Sequence, residues 1–487
     1  MTNGQFTGSR AACGGQEADC AGICLHDERA VSALELARWQ FGLTTVFHFF
    51  FVPVTIGLGV VVASMQTFAY RREDEVWERL TAFFGRLFLI NLAVGVVTGI
   101  VLEFQFGMNW SSYSVFVGSI FGAPLAIEGL LAFFLESTFV GLWVFGKGKL
   151  SPRVHLATIW VTSAGTILSA FFILAANSWM QHPVGYEVEH GEAVLTDFWA
   201  VLASSTLWAS FLHTVSAAFV TAGGLVLGIA AWQIRQGRER AAFGRAARFA
   251  AIFTLASVLV TSVSGDLQGR LMESQQPMKM AAAEALYTTT DGASFSMLTI
   301  GNLSGTPVFQ VRLPHVLSMI ADLSWNGQVK GIDQLQASET ATYGKGSYVP
   351  VLWATYWSFR TMVGMGILLV LLSAWGALLA RRKRIGESRW FLRAAMAGMA
   401  LPFLANASGW VFTEMGRQPW LVYGLLKTLH GVSPTVSTVD VAATLVGFVA
   451  LYTAIGVVDA VLMVRAARRD LVAPEDDEHP VLPGIVY

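Results

Sequence analysis

The chain has 487 residues, of which 54% are hydrophobic and 13% are charged, and its formal net charge is -1. Soluble globular proteins carry about 25% charged residues. The composition therefore excludes an ordinary soluble domain and indicates a polytopic membrane protein. A net charge so close to zero gives no support for nucleic-acid binding, which needs a basic surface.

Residues 1–32 form a polar leader without an apolar core. They contain all three cysteines, Cys13, Cys20 and Cys24, whose spacing fits neither a zinc site nor a Cys-x-x-Cys redox pair. Because the segment has no hydrophobic stretch, it is not a signal peptide. We expect it to be disordered or to lie upstream of the true translation start, for which Val31 is the candidate.

Nine stretches are long and apolar enough to cross a bilayer as helices, which predicts an all-α fold. They lie at about 40–66, 83–104, 119–146, 155–177, 206–233, 245–264, 350–379, 393–413 and 440–464. Arg and Lys gather in the connections after the odd-numbered spans, whereas 105–118 and 178–205 contain neither. The positive-inside rule then places the N-terminus outside and the C-terminus in the cytoplasm.

The predicted organisation follows from these spans. Six spans lie within 33–264 and three within 350–470, and residues 471–487 form a cytoplasmic tail. The connection 265–349 is external, and loops this long are usually functional. Within it, Lys279 to Glu284 is predicted as a short helix whose basic and acidic groups could hydrogen-bond a quinol headgroup. An ordinary solvated helix is the alternative.

Side chains that can ionise or bind a metal gather in the outer half of the spans. They are His48, Glu128, His213, Arg360, Met362 and Glu414. Each has a plain structural explanation: a His can bond a neighbouring carbonyl, a Met can pack in the core, and an Arg can reach the interface. Their joint position is better explained by a cofactor, because imidazole, thioether and carboxylate are axial ligands of haem iron.

The third span carries two acidic residues, Glu128 and Glu136. On a regular helix, eight residues bring the two side chains within about 80° of each other and about 12 Å apart in depth. Buried carboxylates of this kind can carry protons. Two separate structural hydrogen bonds remain the alternative.

The run from Thr413 to Trp420 places Glu414 and Arg417 where the eighth span emerges from the membrane. Ionisable groups at such a boundary are costly unless they have partners. The candidate partners are each other, a metal, or the propionates of a buried cofactor. Glu103, at the outer end of the second span, is a further candidate partner for Arg417.

These segments together resemble subunit I of the cytochrome bd-type quinol oxidases, over about residues 33 to 470. The likeness is carried by ARWQFGLTTVFHFFFVPVTIGL, LEFQFGMNWSSYSVFVGSIFGAPLAIEGLLAFFLESTFVGL, FLHTVSAAFVTAG, FRTMVGMG and GWVFTEMGRQPW. The Glu-Phe-Gln-Phe-Gly and Gly-Arg-Gln-Pro-Trp runs are the most specific. The segment after Gln336 lacks the insertion of the long-loop branch, so the chain resembles the short-loop form.

The resemblance implies roles for individual residues. His213 and Met362 are similar to the axial ligands of a low-spin haem b, and Arg360 to the residue that stabilises this haem. His48 and Glu414 are similar to the ligands of a high-spin haem b and a chlorin-type haem d, without a decision as to which holds which. The remaining counterparts are Glu128 and Glu136 on a proton path, Trp410 in electron relay, Arg417 as a propionate partner, and Lys279 with Glu284 at the quinol site.

The activity implied is oxidation of quinol at the outer face and reduction of O2 to water with protons from the cytoplasm. Charge separation would then need no pumping cycle. A second membrane subunit is implied, and a small single-helix subunit is a further candidate. Where some relatives have an Asp before the fourth span, this chain has Gly146-Lys147-Gly148-Lys149. The competing interpretations are an oxidase with b-type haems alone and a proton-coupled transporter.

Overall fold

The computed structural model describes residues 17–301, 303 and 307–471. Within these residues, nine helical rods are long and apolar enough to cross a membrane, which confirms the predicted all-α class and the number of spans. The rods are α1 (Glu17–Arg72), α2 (Glu75–Met108), α3 (Ser111–Ile127) continued by α4 (Phe134–Phe145), α5 (Pro152–Gln181), α6 (Phe198–Leu202) with α7 (Ser205–Arg235), α8 (Arg240–Gln275), α12 (Leu352–Arg381), α13 (Arg389–Ala397) with α14 (Leu401–Met415), and α15 (Thr438–Ala467).

The connections carry the smaller elements. Three short helices lie between α8 and α12: α9 (Pro277–Glu284), α10 (Val316–Asp322) and α11 (Ile332–Tyr343). The strands are β1 (Tyr186–Glu189), β2 (Glu192–Leu195), β3 (Thr290–Asp291), β4 (Phe295–Gly301), β5 (Pro307–Leu313), β6 (Gln328–Val329), β7 (Trp420–Val422) and β8 (Leu426–Lys427). They pair as four antiparallel two-stranded sheets, β1 with β2, β3 with β6, β4 with β5, and β7 with β8.

The two ends of the bundle differ in chemistry. At one end α1, α7 and α12 finish in Arg72, Arg235 and Arg381, and we call this the basic end. The short helices α9 to α11 and the sheets lie at the opposite end, which we call the loop end. The helix caps mark both ends: Asp74 accepts a hydrogen bond from the Val76 amide as α2 begins, and Ser437 with Asp440 forms a capping box at the start of α15.

The largest apolar core lies between α1, α2, α7 and α8, toward the basic end. Its helices approach each other closely at a glycine, which has no side chain to hold them apart. A Cβ added at Gly57 of α1 would overlap the Ala218 carbonyl oxygen of α7 and lie 2.5 Å from the Ala222 Cβ. The absence of a side chain at Gly57 therefore allows α1 and α7 to pack closely at this level.

Two boundaries differ from the sequence-based expectation. The predicted leader covers 1–32. Residues 1–16 lie outside the described residues, while the α1 backbone begins at Glu17, inside the segment expected to be disordered. Residues 17–32 contain no proline, so nothing in the backbone chemistry stops the helix there. Of the predicted tail at 471–487, all but Leu471 lies outside the described residues.

At the other boundary, α8 continues beyond 264 to Gln275. Hydropathy misses this extension because its residues are polar. Asp266 and Arg270 form an ion pair one turn apart, and the Gln268 side chain donates to the Ala209 carbonyl of α7 at 3.2 Å. The turn to α9 occurs at Pro277, which occupies the first turn of the next helix. The loop proper therefore begins at Gln276.

Gly57→Ala is expected to destabilise the protein by about 1–3 kcal/mol, since the added methyl group overpacks the α1–α7 contact. The control is Gly42→Ala on the same helix, where an added Cβ meets nothing within 4 Å and helix propensity favours alanine. Thermal unfolding in detergent measures both. Equal unfolding temperatures for the two variants would contradict the close packing at Gly57.

Candidate functional site

A cavity of about 450 Å³ lies among α7, α8, α12 and α14 at the loop end. His213 and Met362 both line it, from α7 and α12, together with Trp410 of α14. Two glycines make room beside the candidate ligands. A Cβ at Gly265 would lie 3.2 Å from the His213 ring, and one at Gly409 would lie 3.0 Å from the Met362 sulfur.

The hydrogen bonds of His213 define its tautomer. Its Nδ1 lies 3.0 Å from the Thr261 carbonyl oxygen and 3.2 Å from the Ser264 hydroxyl. A carbonyl oxygen only accepts, so Nδ1 carries the proton and Nε2 keeps its lone pair. The backbone bond expected for a structural histidine is present, and it is also the bond that orients a metal-binding imidazole.

Arg360 is buried beside the same cavity and is only partly neutralised. Its Nη2 lies 2.8 Å from a carboxylate oxygen of Glu284, and its guanidinium carbon lies 4.5–5.0 Å from the ring centroids of Phe295, Tyr356 and Phe359. Among the described residues, its Nε and Nη1 have no hydrogen-bond partner. A buried cation with free donors is costly unless an anion meets it, so these atoms fit a haem propionate.

Glu284 is held by more than Arg360. The Ser296 amide donates to its Oε2 at 2.7 Å, while its Oε1 is buried and has no partner in the described part of the chain. Burial raises the pKa of Glu284 to about 6, although the charge of Arg360 opposes the shift. The free oxygen gives a ligand in the cavity an acceptor.

The short helix predicted at Lys279 to Glu284 is present as α9. Lys279 lies near the opposite end of this helix from Glu284 and contacts α14, whereas Glu284 contacts α12. Its Nζ donates to the Thr413 carbonyl oxygen at 3.2 Å and lies 5.1 Å from the Phe412 ring centroid. Burial lowers the pKa of Lys279 to about 7. Both Lys279 and Glu284 line the cavity, so the predicted quinol pair faces one space from two sides and bridges α12 to α14.

Glu414 and Arg417 pair with each other at the end of α14. Asn177 of α5 donates to Glu414 at 3.1 Å, and Gln181 in turn donates to Asn177 at 2.9 Å. Arg417 is 2% exposed, and its Nε and Nη1 have no partner among the described residues. The suggested pairing of Arg417 with Glu103 is therefore wrong, because Glu414, three residues before Arg417, takes the ion pair.

His48 lies between α1 and α2, apart from this cavity. Its Nδ1 is 2.9 Å from the Thr98 hydroxyl, which itself donates to the Val94 and Gly95 carbonyl oxygens. The hydroxyl proton is thus committed to the backbone, so Nδ1 donates and Nε2 keeps a lone pair. A Cβ at Gly99 would lie 3.2 Å from the ring. His48 is prepared for a metal in the same way as His213.

Glu128 and Glu136 lie on the α3–α4 rod, which is not a regular helix. Residues Glu128–Phe133 form a π-helical segment, a feature common at functional sites. The angle of about 80° expected between the two carboxylates is therefore not valid, because it assumed regular α-helical turns. Ser169 of α5 donates to Glu128 at 2.7 Å, and Glu136 is 8% exposed.

Trp410 connects the candidate ligands of different helices. Its ring centroid is 5.0 Å from that of Phe49, which directly follows His48, and it also lines the cavity with His213 and Met362. Sequence reasoning missed the supporting residues Thr98 and Ser296, whose partners His48 and Glu284 lie on other elements, and Gln181, which bonds Asn177 of its own helix. Gln181 stands one turn after Asn177, a spacing that could have indicated a polar face.

The sequence model of the cytochrome bd terminal oxidase subunit I family matches residues 36–471. The chain belongs to this family. It is 43% identical to cytochrome bd ubiquinol oxidase subunit 1 of Bacillus subtilis (strain 168), an alignment that covers 93% of this chain and 96% of that protein. Cytochrome bd-II ubiquinol oxidase subunit 1 of Escherichia coli (strain K12) is 33% identical, with 89% and 96% covered.

A solved structure agrees with these matches. The bd oxidase from Geobacillus thermodenitrificans has a TM-score of 0.83 and 26% identity, with 90% of this chain and 99% of that chain covered. Family membership and the nine described apolar rods identify a multi-pass protein of the bacterial cell membrane. The free guanidinium nitrogens and the glycine-lined histidines suit the haems that this family generally binds.

Gly409→Ala is expected to reduce haem bound at the cavity, because the added Cβ would push against the Met362 sulfur. Gly364→Ala on α12 is the matched control, since an added Cβ there has nothing within 4 Å. The haem-to-protein ratio of the purified protein measures the effect. Equal ratios in both variants would show that the Met362 position is not constrained as described.

Proposed function

We propose that the chain is the haem-carrying subunit of a quinol:oxygen oxidoreductase, a terminal oxidase of the cytochrome bd type. The observation that carries the proposal is the shared cavity. His213 and Met362, two donors suited to one iron, line it together with Lys279 and Glu284, two buried groups suited to a quinol. Its relatives are named as ubiquinol oxidase subunits.

The donor set divides among three haems. His213 and Met362 would hold a low-spin haem b, with Arg360 facing a propionate, because imidazole and thioether together suit an electron-transfer haem. His48 and Glu414 would each hold one high-spin haem, a haem b and a chlorin-type haem d, with Arg417 as a propionate partner. When bound, these haems supply one-electron transfer and the iron at which oxygen is reduced.

Quinol would bind at the loop end, between Lys279 and Glu284. Oxidation of a quinol releases two protons and two electrons, so the site needs proton acceptors. The free Oε1 of Glu284 is one, and the buried amine of Lys279 is the other when it is neutral. Trp410 and Phe49 both line the cavity and contact each other, which gives the site an aromatic contact toward the His48 region.

Orientation follows from the charge of the two ends. The basic end would face the cytoplasm by the positive-inside rule, and the loop end would face outward. Protons from quinol are then released outside, while Glu136 and Glu128 take protons for oxygen reduction from inside. Charge separates because the two reactions use opposite sides of the membrane, without a pumping cycle.

A second membrane subunit would accompany the chain, since its relatives are named as subunit 1 of an oxidase. A small single-helix subunit is a further expected partner. Oxygen uptake by the purified complex with a quinol as the only reductant tests the proposed function. Steady uptake is expected, and a complex that contains haem but takes up no oxygen would contradict it.

Glu136→Gln is expected to lower oxygen-reducing turnover roughly 10²-fold, the scale of a lost positioned proton-transfer group, while haem content stays the same. Glu78→Gln, an exposed glutamate on α2 at the basic end, is the control and should keep full turnover. Undiminished turnover in Glu136→Gln would rule out this carboxylate as a proton carrier.

The value of kcat/KM for quinol is expected to rise with pH through about 6 and about 7, the pKa values to which burial brings Glu284 and Lys279. Each group accepts a proton only at a pH above its own pKa, so kcat/KM rises with pH at both steps. Lys279→Met should remove the step near 7. Lys345→Met, an exposed lysine of the same loop, should leave the profile as in the wild type. An unchanged profile in Lys279→Met would exclude this role.

A further inference from the structure

Four hydroxyl groups form a stripe along one face of α5. Thr158, Thr162, Thr166 and Ser169 follow each other at steps of four, four and three residues. Such steps keep the side chains within about 80° around the helix and spread them over about 16 Å of its length. The three threonines are 2%, 0% and 4% exposed, so the stripe lies inside the protein and not against lipid.

The stripe leads along the α3–α4 rod, which carries Glu136 and Glu128. At its loop-end terminus, the Ser169 hydroxyl donates to Glu128 at 2.7 Å. Midway, Gly165 lies so close to the neighbouring rod that an added Cβ would be 3.1 Å from the Glu136 backbone nitrogen. The stripe therefore passes Glu136 before it reaches Glu128.

At the opposite terminus the stripe begins beside His155, near the basic end. The Trp143 indole donates to the side-chain oxygen Oε1 of Gln66 at 2.8 Å. The side-chain nitrogen Nε2 of Gln66 therefore faces His155 Nδ1, at 3.0 Å. His155 Nε2 then carries the proton and donates to the Trp143 carbonyl at 2.8 Å. Three helices, α1, α4 and α5, thus hold the His155 imidazole at the mouth of the stripe.

Each threonine hydroxyl of the stripe donates its proton to a backbone carbonyl of α5: Thr158 to His155, Thr162 to Thr158, and Thr166 to Ser163, at 2.7, 3.0 and 2.9 Å. Such back-bonding is how hydroxyls are commonly satisfied inside membrane helices. It leaves oxygen lone pairs open to accept. Side chains four residues apart lie about 5–6 Å from each other, a gap that one water molecule with two hydrogen bonds of about 2.8 Å can span.

We propose that Thr158, Thr162 and Thr166 line the inner part of a proton path that runs from the basic end to Glu136 and Glu128, with His155 positioned at its mouth. The inference rests on the proposed function, which requires protons to reach those carboxylates. In each transfer a proton leaves one oxygen, which breaks its O–H bond, and forms a new O–H bond on the neighbouring oxygen. The proton ends on a carboxylate, and no electron moves along the path.

One hydroxyl of the same helix segment lies outside the stripe and provides a control. Ser163 is turned about 100° from Thr162 and is as deeply buried, at 1% exposed. It faces Gly59 of α1, where an added Cβ would lie 3.0 Å from its hydroxyl oxygen. Ser163→Ala removes a buried hydroxyl without interrupting the stripe.

The test compares Thr162→Val with Ser163→Ala in the complete complex. Thr162→Val keeps the side-chain shape and removes the hydroxyl. It is expected to lower oxygen-reducing turnover about tenfold, part of the ~10²–10⁴-fold that positioned proton transfer contributes. In vesicles whose interior faces the basic end, an enclosed pH-sensitive dye should report slower proton uptake by this variant. The ratio of turnover in ordinary water to turnover in heavy water should also be larger than in the wild type. In Thr162→Val, the haem content and the rate at which quinol reduces the haems without oxygen should match the wild type. Ser163→Ala should match the wild type in all of these measurements.

A serine variant and a second position keep the result decisive. Thr162→Ser restores a hydroxyl and should regain turnover, and Thr158→Val gives an independent break if Thr162→Val does not assemble. Wild-type proton uptake and heavy-water effect in both valine variants would overturn the path while leaving the proposed function intact. A wild-type complex that takes up no oxygen with quinol would instead overturn the proposed function, and the path with it.

Discussion

Two buried guanidinium groups set the main constraint on the loop end of this protein. Arg360 and Arg417 each have one carboxylate partner, Glu284 and Glu414, and each keeps buried nitrogens without a partner among the described residues. Arginine does not lose its proton to relieve this situation. The arrangement is stable only when further anionic oxygens meet the free donors. The propionates of the proposed haems would supply such oxygens, because the proposed ligands Met362 and Glu414 lie two and three residues from these arginines.

The short helix α9 couples the two arginine sites. Its first turn bonds α14 through Lys279 and Thr413, and its last residue, Glu284, pairs with Arg360 of α12. A quinol between these two side chains would therefore touch both ligand-bearing helices through a single rigid element. The proposed quinol site and the proposed His213/Met362 haem site would therefore share one cavity, which Trp410 and Phe49 also line.

Much of this architecture could be predicted from the sequence because it depends on local patterns. Hydropathy predicts the nine spans, and the specific runs around His48, His213, Met362 and Glu414 mark the residues that are proposed as haem ligands. What could not be predicted depends on contacts between helices. The polar extension of α8 is stabilised by α7 through Gln268, and the partner of Arg417 was open between Glu103 and Glu414. The π-helical segment at Glu128 was also missed, since periodicity assumes regular turns. The hydroxyl stripe becomes meaningful only when Ser169 is seen to bond Glu128.

The central claim is that His213 and Met362 jointly hold one haem in the cavity beside Arg360. The visible spectrum of the reduced, purified protein, compared with that of Met362→Leu, tests it most directly. We expect low-spin haem b bands and a red-shifted chlorin band in the wild type. In the variant, the low-spin bands should be lost and the chlorin band retained. A wild-type protein without haem bands, or identical spectra for the two proteins, would contradict it.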